Sequence, residues 1–84
     1  MTKQVYIEEI KNLTKKLYSY YEKKYISNGK GDFDGFFRAK KPVDNIWGKH
    51  LDGRLYIHSR AKKSQLEELY ADLINYISDK HINL

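Results

Sequence analysis

Cysteine is absent from this chain, proline and tryptophan occur once each, and histidine three times. Without thiols there is no disulfide staple and no thiolate zinc site. The lack fits a reducing compartment, and a cytoplasmic location is the expectation. No stretch approaches the roughly 20 apolar residues that a membrane span needs. Glu8 and Glu9 interrupt the place where a secretion signal would require an unbroken apolar run. Neither a leader nor a membrane partner is expected. No Ser/His/Asp or paired-Glu constellation has legible spacing, so no catalytic residue, cofactor or metal is assigned. Asp32-Phe33-Asp34-Gly35 opens like a calcium loop but lacks the alternating oxygen ligands and the closing Glu. Gly29-Lys30-Gly31 lacks the strand and the Lys-Ser/Thr ending of a phosphate loop.

What is present is charge, and it is unevenly placed. The 84 residues carry a net charge of +5. Residues 1–26 hold six Lys against three Glu, and residues 27–63 hold nine Lys or Arg against four Asp. Residues 64–84 hold one Lys against four acids. A basic middle and an acidic C-terminal segment give the field one side attractive to anions. A chain of this size buries only about 60–65% of its unfolded surface and forms a single small domain.

Two segments have helical periodicity. From Thr2, a capping residue, to about Ile26, the apolar positions Ile10, Leu13, Leu17 and Tyr21 recur at three-to-four spacing. Tyr6, Thr14 and Tyr20 flank them; Glu8, Lys11, Lys15, Ser19 and Glu22 fall on the far side. Asn28-Gly29 supplies a stop. Residues 64–78 form the second helix, with Ser64 and Glu67 as a capping box and Leu66, Leu69, Tyr70, Leu73 and Ile77 on one face.

Between the helices, turn residues separate short runs of rings and branched side chains. Phe36 to Ala39 reads as a strand ended by Lys40-Lys41-Pro42. Asn45–Leu51 and Arg54–Ser59 read as a β-hairpin joined by Asp52-Gly53. The expected fold is therefore α+β, in the order α-β-β-β-α: a three-stranded antiparallel sheet with two helices packed on one face. The two-residue turn places Trp47 opposite His58 and Lys49 opposite Tyr56. One hairpin face collects Ile46, Gly48, His50, Leu55 and Ile57; the other collects Trp47, Lys49, Leu51, Arg54, Tyr56 and His58. The first is the better core face, apart from His50 near the tip; the alternative puts Trp47, Leu51 and Tyr56 in the core. His50 and His58 then project to opposite sides and cannot share a metal.

Rings interleaved with cations make a surface that stacks bases and neutralises phosphates. Arg60, Lys62 and Lys63 precede a helix N-terminus, where free N–H groups already favour phosphate and cations do not help the helix. The leading expectation is a non-enzymatic nucleic-acid-binding domain, for DNA or RNA. Arg38, Lys40, Lys41, Lys49, Arg54, Arg60, Lys62 and Lys63 would lie on phosphates, and Trp47, Tyr56 and His58, where exposed, on bases or sugars. The alternative is a small protein-binding inhibitor, immunity or antitoxin-like protein of a phage or plasmid. Its partner surface would be Tyr18, Tyr20, Tyr21 and Tyr25, too many rings for one core face, and a homodimer stays open. A minor alternative is an RNA-cleaving toxin with one His beside Arg54 or Lys49 as proton donor. Ser59-Arg60-Ala61-Lys62-Lys63 at a helix start resembles double-stranded-RNA-binding domains, whose lysines there contact phosphates, but Leu66-Glu67-Glu68-Leu69-Tyr70 replaces their Ala-rich helix. Gly48-Lys49-His50 resembles the Gly-Ser-His of a small ribonuclease toxin family, with Lys49 in the place of its Ser. Each spans a few residues only, and neither is a recognition.

Overall fold

A computed structural model describes residues 1–27 and 29–84. Among the described residues it contains three helices and no strand: α1 (Lys3–Tyr25), α2 (Phe33–His50) and α3 (Lys63–Asp79). The helices pack pairwise around one core within an envelope of 41 × 23 × 19 Å. Tyr18 meets Asp44 and Thr14 meets Trp47, so α1 and α2 run antiparallel. His50 meets Asp72 while Arg38 and Pro42 lie beside Tyr76 and Lys80, so α2 and α3 are also antiparallel. The topology is up-down-up.

The expected α-β-β-β-α sheet is thus replaced by a bundle, and the reason lies in residues 33–51. Their rings and branched side chains suit a strand, but Phe36, Val43, Ile46, Trp47 and Leu51 also repeat at helical spacing. That period prevails because it turns Val43, Trp47 and Leu51 into a core formed with Ile10, Leu17, Leu66, Leu69 and Leu73. Pro42, taken as a strand breaker, sits inside α2. Asp32, Asp34 and Gly35, set beside a calcium loop, start this helix. The Asp32 carboxylate caps it by accepting the Gly35 N–H at 3.0 Å, and Asp34 lies in the first turn, where negative charge is favoured. Gly35 must be glycine: a methyl group there would collide with the Asp32 carboxylate and the Tyr25 ring.

The β-hairpin at Asp52-Gly53 is likewise a helix end. Asp52 has φ 54° and Gly53 φ 81°, and the Gly53 N–H donates to the Gly48 carbonyl at 2.8 Å. This is the long bond of a Schellman cap closing α2. Positive φ is what both a type I′ hairpin turn and a left-handed cap demand, so the Asp-Gly pair alone does not choose between them. Residues 51–62 then cross to α3 without forming a ladder.

The other caps follow the same chemistry. Thr2 caps α1 by accepting the Val5 N–H at 3.2 Å. Asn28, of the expected Asn28-Gly29 stop, lies outside the described residues. The Ser64–Glu67 capping box does not form, because the N-cap of α3 is Lys62, two residues before Ser64, and Ser64 lies inside the helix. Instead the Gln65 side chain accepts the Lys62 N–H at 2.8 Å and donates to the His50 carbonyl at 3.1 Å, linking the two helix ends. At the far end His81, with φ 53°, closes α3: its N–H bonds the Ser78 carbonyl and that of Ile82 bonds the Ile77 carbonyl.

Pro42 has no N–H for the Arg38 carbonyl, a defect that costs a helix interior about 3 kcal/mol relative to Ala. Part of this is offset because Pro also restricts the unfolded chain by up to about 1 kcal/mol. Pro42→Ala is therefore expected to raise unfolding stability by about 2 kcal/mol, read from urea denaturation followed by circular dichroism. A loss of stability would contradict a continuous α2.

Candidate nucleic-acid interface

Trp47 is 5% exposed. Its indole N–H donates to the Thr14 hydroxyl at 3.0 Å, and that hydroxyl donates to the Ile10 carbonyl at 2.8 Å. The ring is therefore core and is not positioned to stack on a base, which corrects its place among the candidate contacts. The four tyrosines assigned to a partner surface also pack inward. The Tyr18 hydroxyl donates to the Asp44 carboxylate, and Tyr21 and Tyr76 share a hydrogen bond between their hydroxyls. Burial and these bonds push both the Tyr18 and Tyr21 hydroxyls well above the ordinary tyrosine range. Tyr20 meets Tyr21 edge to face, and Tyr25 lies under Gly35. One helix holds all four because its neighbours differ: Tyr18 and Tyr25 face α2, and Tyr21 faces α3.

The basic candidates divide by their carboxylate partners. Lys40 is 2.8 Å from Asp44, and its ammonium also sits over the Tyr18 and Phe37 rings at 5.3 and 5.5 Å. Lys49 lies 3.6 Å from Asp72, and Arg54 lies 3.8 Å from its neighbour Asp52. Arg38, Lys41, Arg60, Lys62 and Lys63 are exposed and, among the described residues, have no ion pair. They do not form one surface. Arg38 lines a groove with Lys80 at the α3 C-terminus, whereas Lys62 and Lys63 begin that helix. Tyr56 is exposed on the connecting loop, and the His58 ring accepts the Arg60 N–H.

His50 is held rather than free. Its ring lies 2.6 Å from the Asp72 carboxylate and 3.7 Å from that of Glu68, with the side chain 10% exposed. The acidic face of α3 is thereby partly turned into a clamp on the end of α2. The hydrogen bond from His50, with the charges of His50 and Lys49, holds the Asp72 carboxyl below the ordinary aspartate range against the opposing effect of burial. A ring engaged in this way is not presented to an RNA phosphodiester, and His58 lies on a different segment. Among the described residues no group of His, Asp and Glu is placed to hold a metal ion, and no helix is long and apolar enough to cross a membrane.

Besides Arg38, Lys41, Arg60, Lys62 and Lys63, a further set of free cations lies on α1. Lys11, Lys15, Lys16 and Lys23 are all exposed and make no ion pair among the described residues. They line three shallow grooves that share walls. The first, of about 620 Å³, joins Lys3 and Lys11 to the loop at Ile57 and His58. A second, of about 460 Å³, runs from Lys11 to Lys15 and Ser19 beside Leu55, with Glu22 at its edge. The third, of about 630 Å³, continues through Lys15, Lys16, Ser19 and Lys23, with Asn83 and Leu84 along one wall. The Lys3 ammonium donates to the Ser59 carbonyl at 3.3 Å and holds the loop against this track. Helical period already put Lys11, Lys15 and Ser19 on the outer side of α1, but the expected sheet drew attention to other cations. Comparison with protein families, curated proteins and solved structures finds no match to this chain.

Because the folded-state pKa of Asp72 is depressed, its contribution to stability is present above the unfolded value near 3.8 and is lost as pH falls through the folded value. Asp72→Asn is thus expected to lower stability at neutral pH and to flatten the decline from about pH 5 downward. Thermal melts of both proteins across that window read the difference; parallel pH profiles would show that Asp72 carries none of it.

Proposed function

We propose that this chain is a non-enzymatic nucleic-acid-binding module whose polyanion track runs along α1. One observation carries the reading: four lysines of α1 have no carboxylate partner among the described residues and wall three contiguous grooves. A surface of free ammonium groups gains affinity for phosphates by releasing their counterions, whereas a lysine already paired with a carboxylate gains less. The reading therefore retains Arg60, Lys62 and Lys63 as a flanking patch beyond the loop and drops Trp47 and the hairpin. Lys40, with its carboxylate and two rings, is a strap between α1 and α2 more than a phosphate contact.

A protein partner is the second reading, favoured by Phe33 and Phe37. They lie one turn apart at the start of α2 and are 58% and 56% exposed. A pair of exposed rings at helical spacing suits the anchor of a small interface. Sedimentation equilibrium of the wild type against Phe33→Ser/Phe37→Ser reads whether that pair also holds a second copy.

The nucleic-acid reading predicts steep salt dependence. About four to six phosphate contacts would lower affinity by about 10²–10³-fold between 50 and 200 mM salt. In fluorescence anisotropy with mixed-sequence oligonucleotides, Lys15→Glu/Lys23→Glu should remove binding, Lys62→Glu/Lys63→Glu should weaken it, and Phe33→Ser/Phe37→Ser should leave it unchanged. Affinity indifferent to salt, or to the α1 reversals, would defeat the proposal.

A further inference from the structure

We infer that the outer face of α1 enters the major groove of B-form duplex DNA; this rests on the nucleic-acid reading and narrows it to one ligand and one docking geometry. Ile10, Thr14, Leu17 and Tyr21 are the buried side of α1. At 100° per residue, Asn12 and Ser19 form the crest opposite them, two turns and about 10.5 Å apart. Lys11 and Lys15 flank this crest on one side, and Lys16 and Lys23 on the other. All six are exposed.

That bilateral arrangement decides between ligands. A single phosphate backbone is matched by one row of cations, whereas a groove has a phosphate wall on each side. A helix with its side chains is about 10–12 Å across, and the B-form major groove is about 12 Å wide. Lysines on both flanks then reach both walls while the short crest residues approach the base edges. Asn12 has the donor and acceptor that pair with adenine in that groove, and Ser19 serves either base pair. The A-form major groove of duplex RNA is too deep and narrow to admit this helix. Glu8 and Glu9 occupy the preceding turn, and Glu22 falls on the Lys11–Lys15 flank near the far end; all three oppose phosphate, so the inserted part is centred on the stretch from Lys11 to Ser19. Of the acids of α3, Asp72 and Glu68 are turned to His50.

The test is fluorescence anisotropy with a short mixed-sequence DNA duplex, the corresponding RNA duplex and single strands, at several salt concentrations. The DNA duplex should bind at least about tenfold more tightly than the RNA duplex. Ser19→Trp leaves every charge in place but blocks the crest; it should weaken duplex-DNA binding by about tenfold while heparin retention stays the same. Lys15→Ala/Lys23→Ala should reduce the slope of log affinity on log salt by about 1.8. Circular dichroism checks that each variant keeps its helix, and Asn12→Trp is the second crest variant if Ser19→Trp does not. Equal affinity for RNA and DNA duplexes, or wild-type DNA binding by a folded crest variant, overturns groove insertion and leaves the polyanion reading standing. Absence of binding to every nucleic acid at low salt overturns both.

Discussion

The hydrogen-bonded link from the Trp47 indole through the Thr14 hydroxyl to the Ile10 carbonyl sets the rest of the arrangement. Thr14 is the one polar side chain buried in the described core, and a buried donor or acceptor left without a partner costs about 1–3 kcal/mol. The Thr14 hydroxyl is already satisfied by the Ile10 carbonyl, so the group at stake is the buried Trp47 indole N–H; its acceptor is Thr14, and that pairing fixes the rotation of α1 about its own axis. Once Thr14 points inward, Asn12, Lys15, Lys16 and Ser19 have to point outward. The basic face is the necessary reverse of a satisfied core.

The same link explains why α2 lies where it does. Trp47 is too large to be buried by α1 alone, and Val43 and Leu51 on either side of it fill the space facing Leu66, Leu69 and Leu73. His50 and Gln65 then tie the end of α2 to α3 with polar contacts that no apolar packing could orient. Surface ion pairs of this kind contribute about 0–1 kcal/mol each. Their larger effect is to choose the neighbour: Asp72 and Glu68 are directed to α2, to His50 and Lys49.

How much of this was legible in the amino-acid sequence differs by segment. The first helix and its inward side could be read because Ile10, Leu17 and Tyr21 repeat over many turns, and Thr2 stands at the start as a cap. Residues 36–59 misled for three local reasons. Rings and branched residues have strand propensity, Pro42 looks like a break, and Asp52-Gly53 has the dihedral preferences of a hairpin turn. Each is a short-range preference, and tertiary burial of Val43, Trp47 and Leu51 outweighs all three. The four tyrosines are more than a single core face can hold. In a bundle α1 has two neighbours, and Tyr18 and Tyr21 go one to each.

Charge was legible as a total and not as a location, since a lysine's availability depends on which carboxylate the fold brings beside it. Lys40 and Lys49 look the same in sequence as Lys15 and Lys16. Asp44 is one helical turn from Lys40 and could have been anticipated. Asp72 reaches Lys49 and His50 only through the packing of α3, so sequence spacing gives no warning of it. A basic composition consequently overstates a phosphate-binding surface wherever the fold supplies its own acids. The useful quantity is the residue of cations left after those pairings; in this bundle Lys11, Lys15, Lys16 and Lys23 of it lie along α1, on the side that the Trp47–Thr14 link turns toward water.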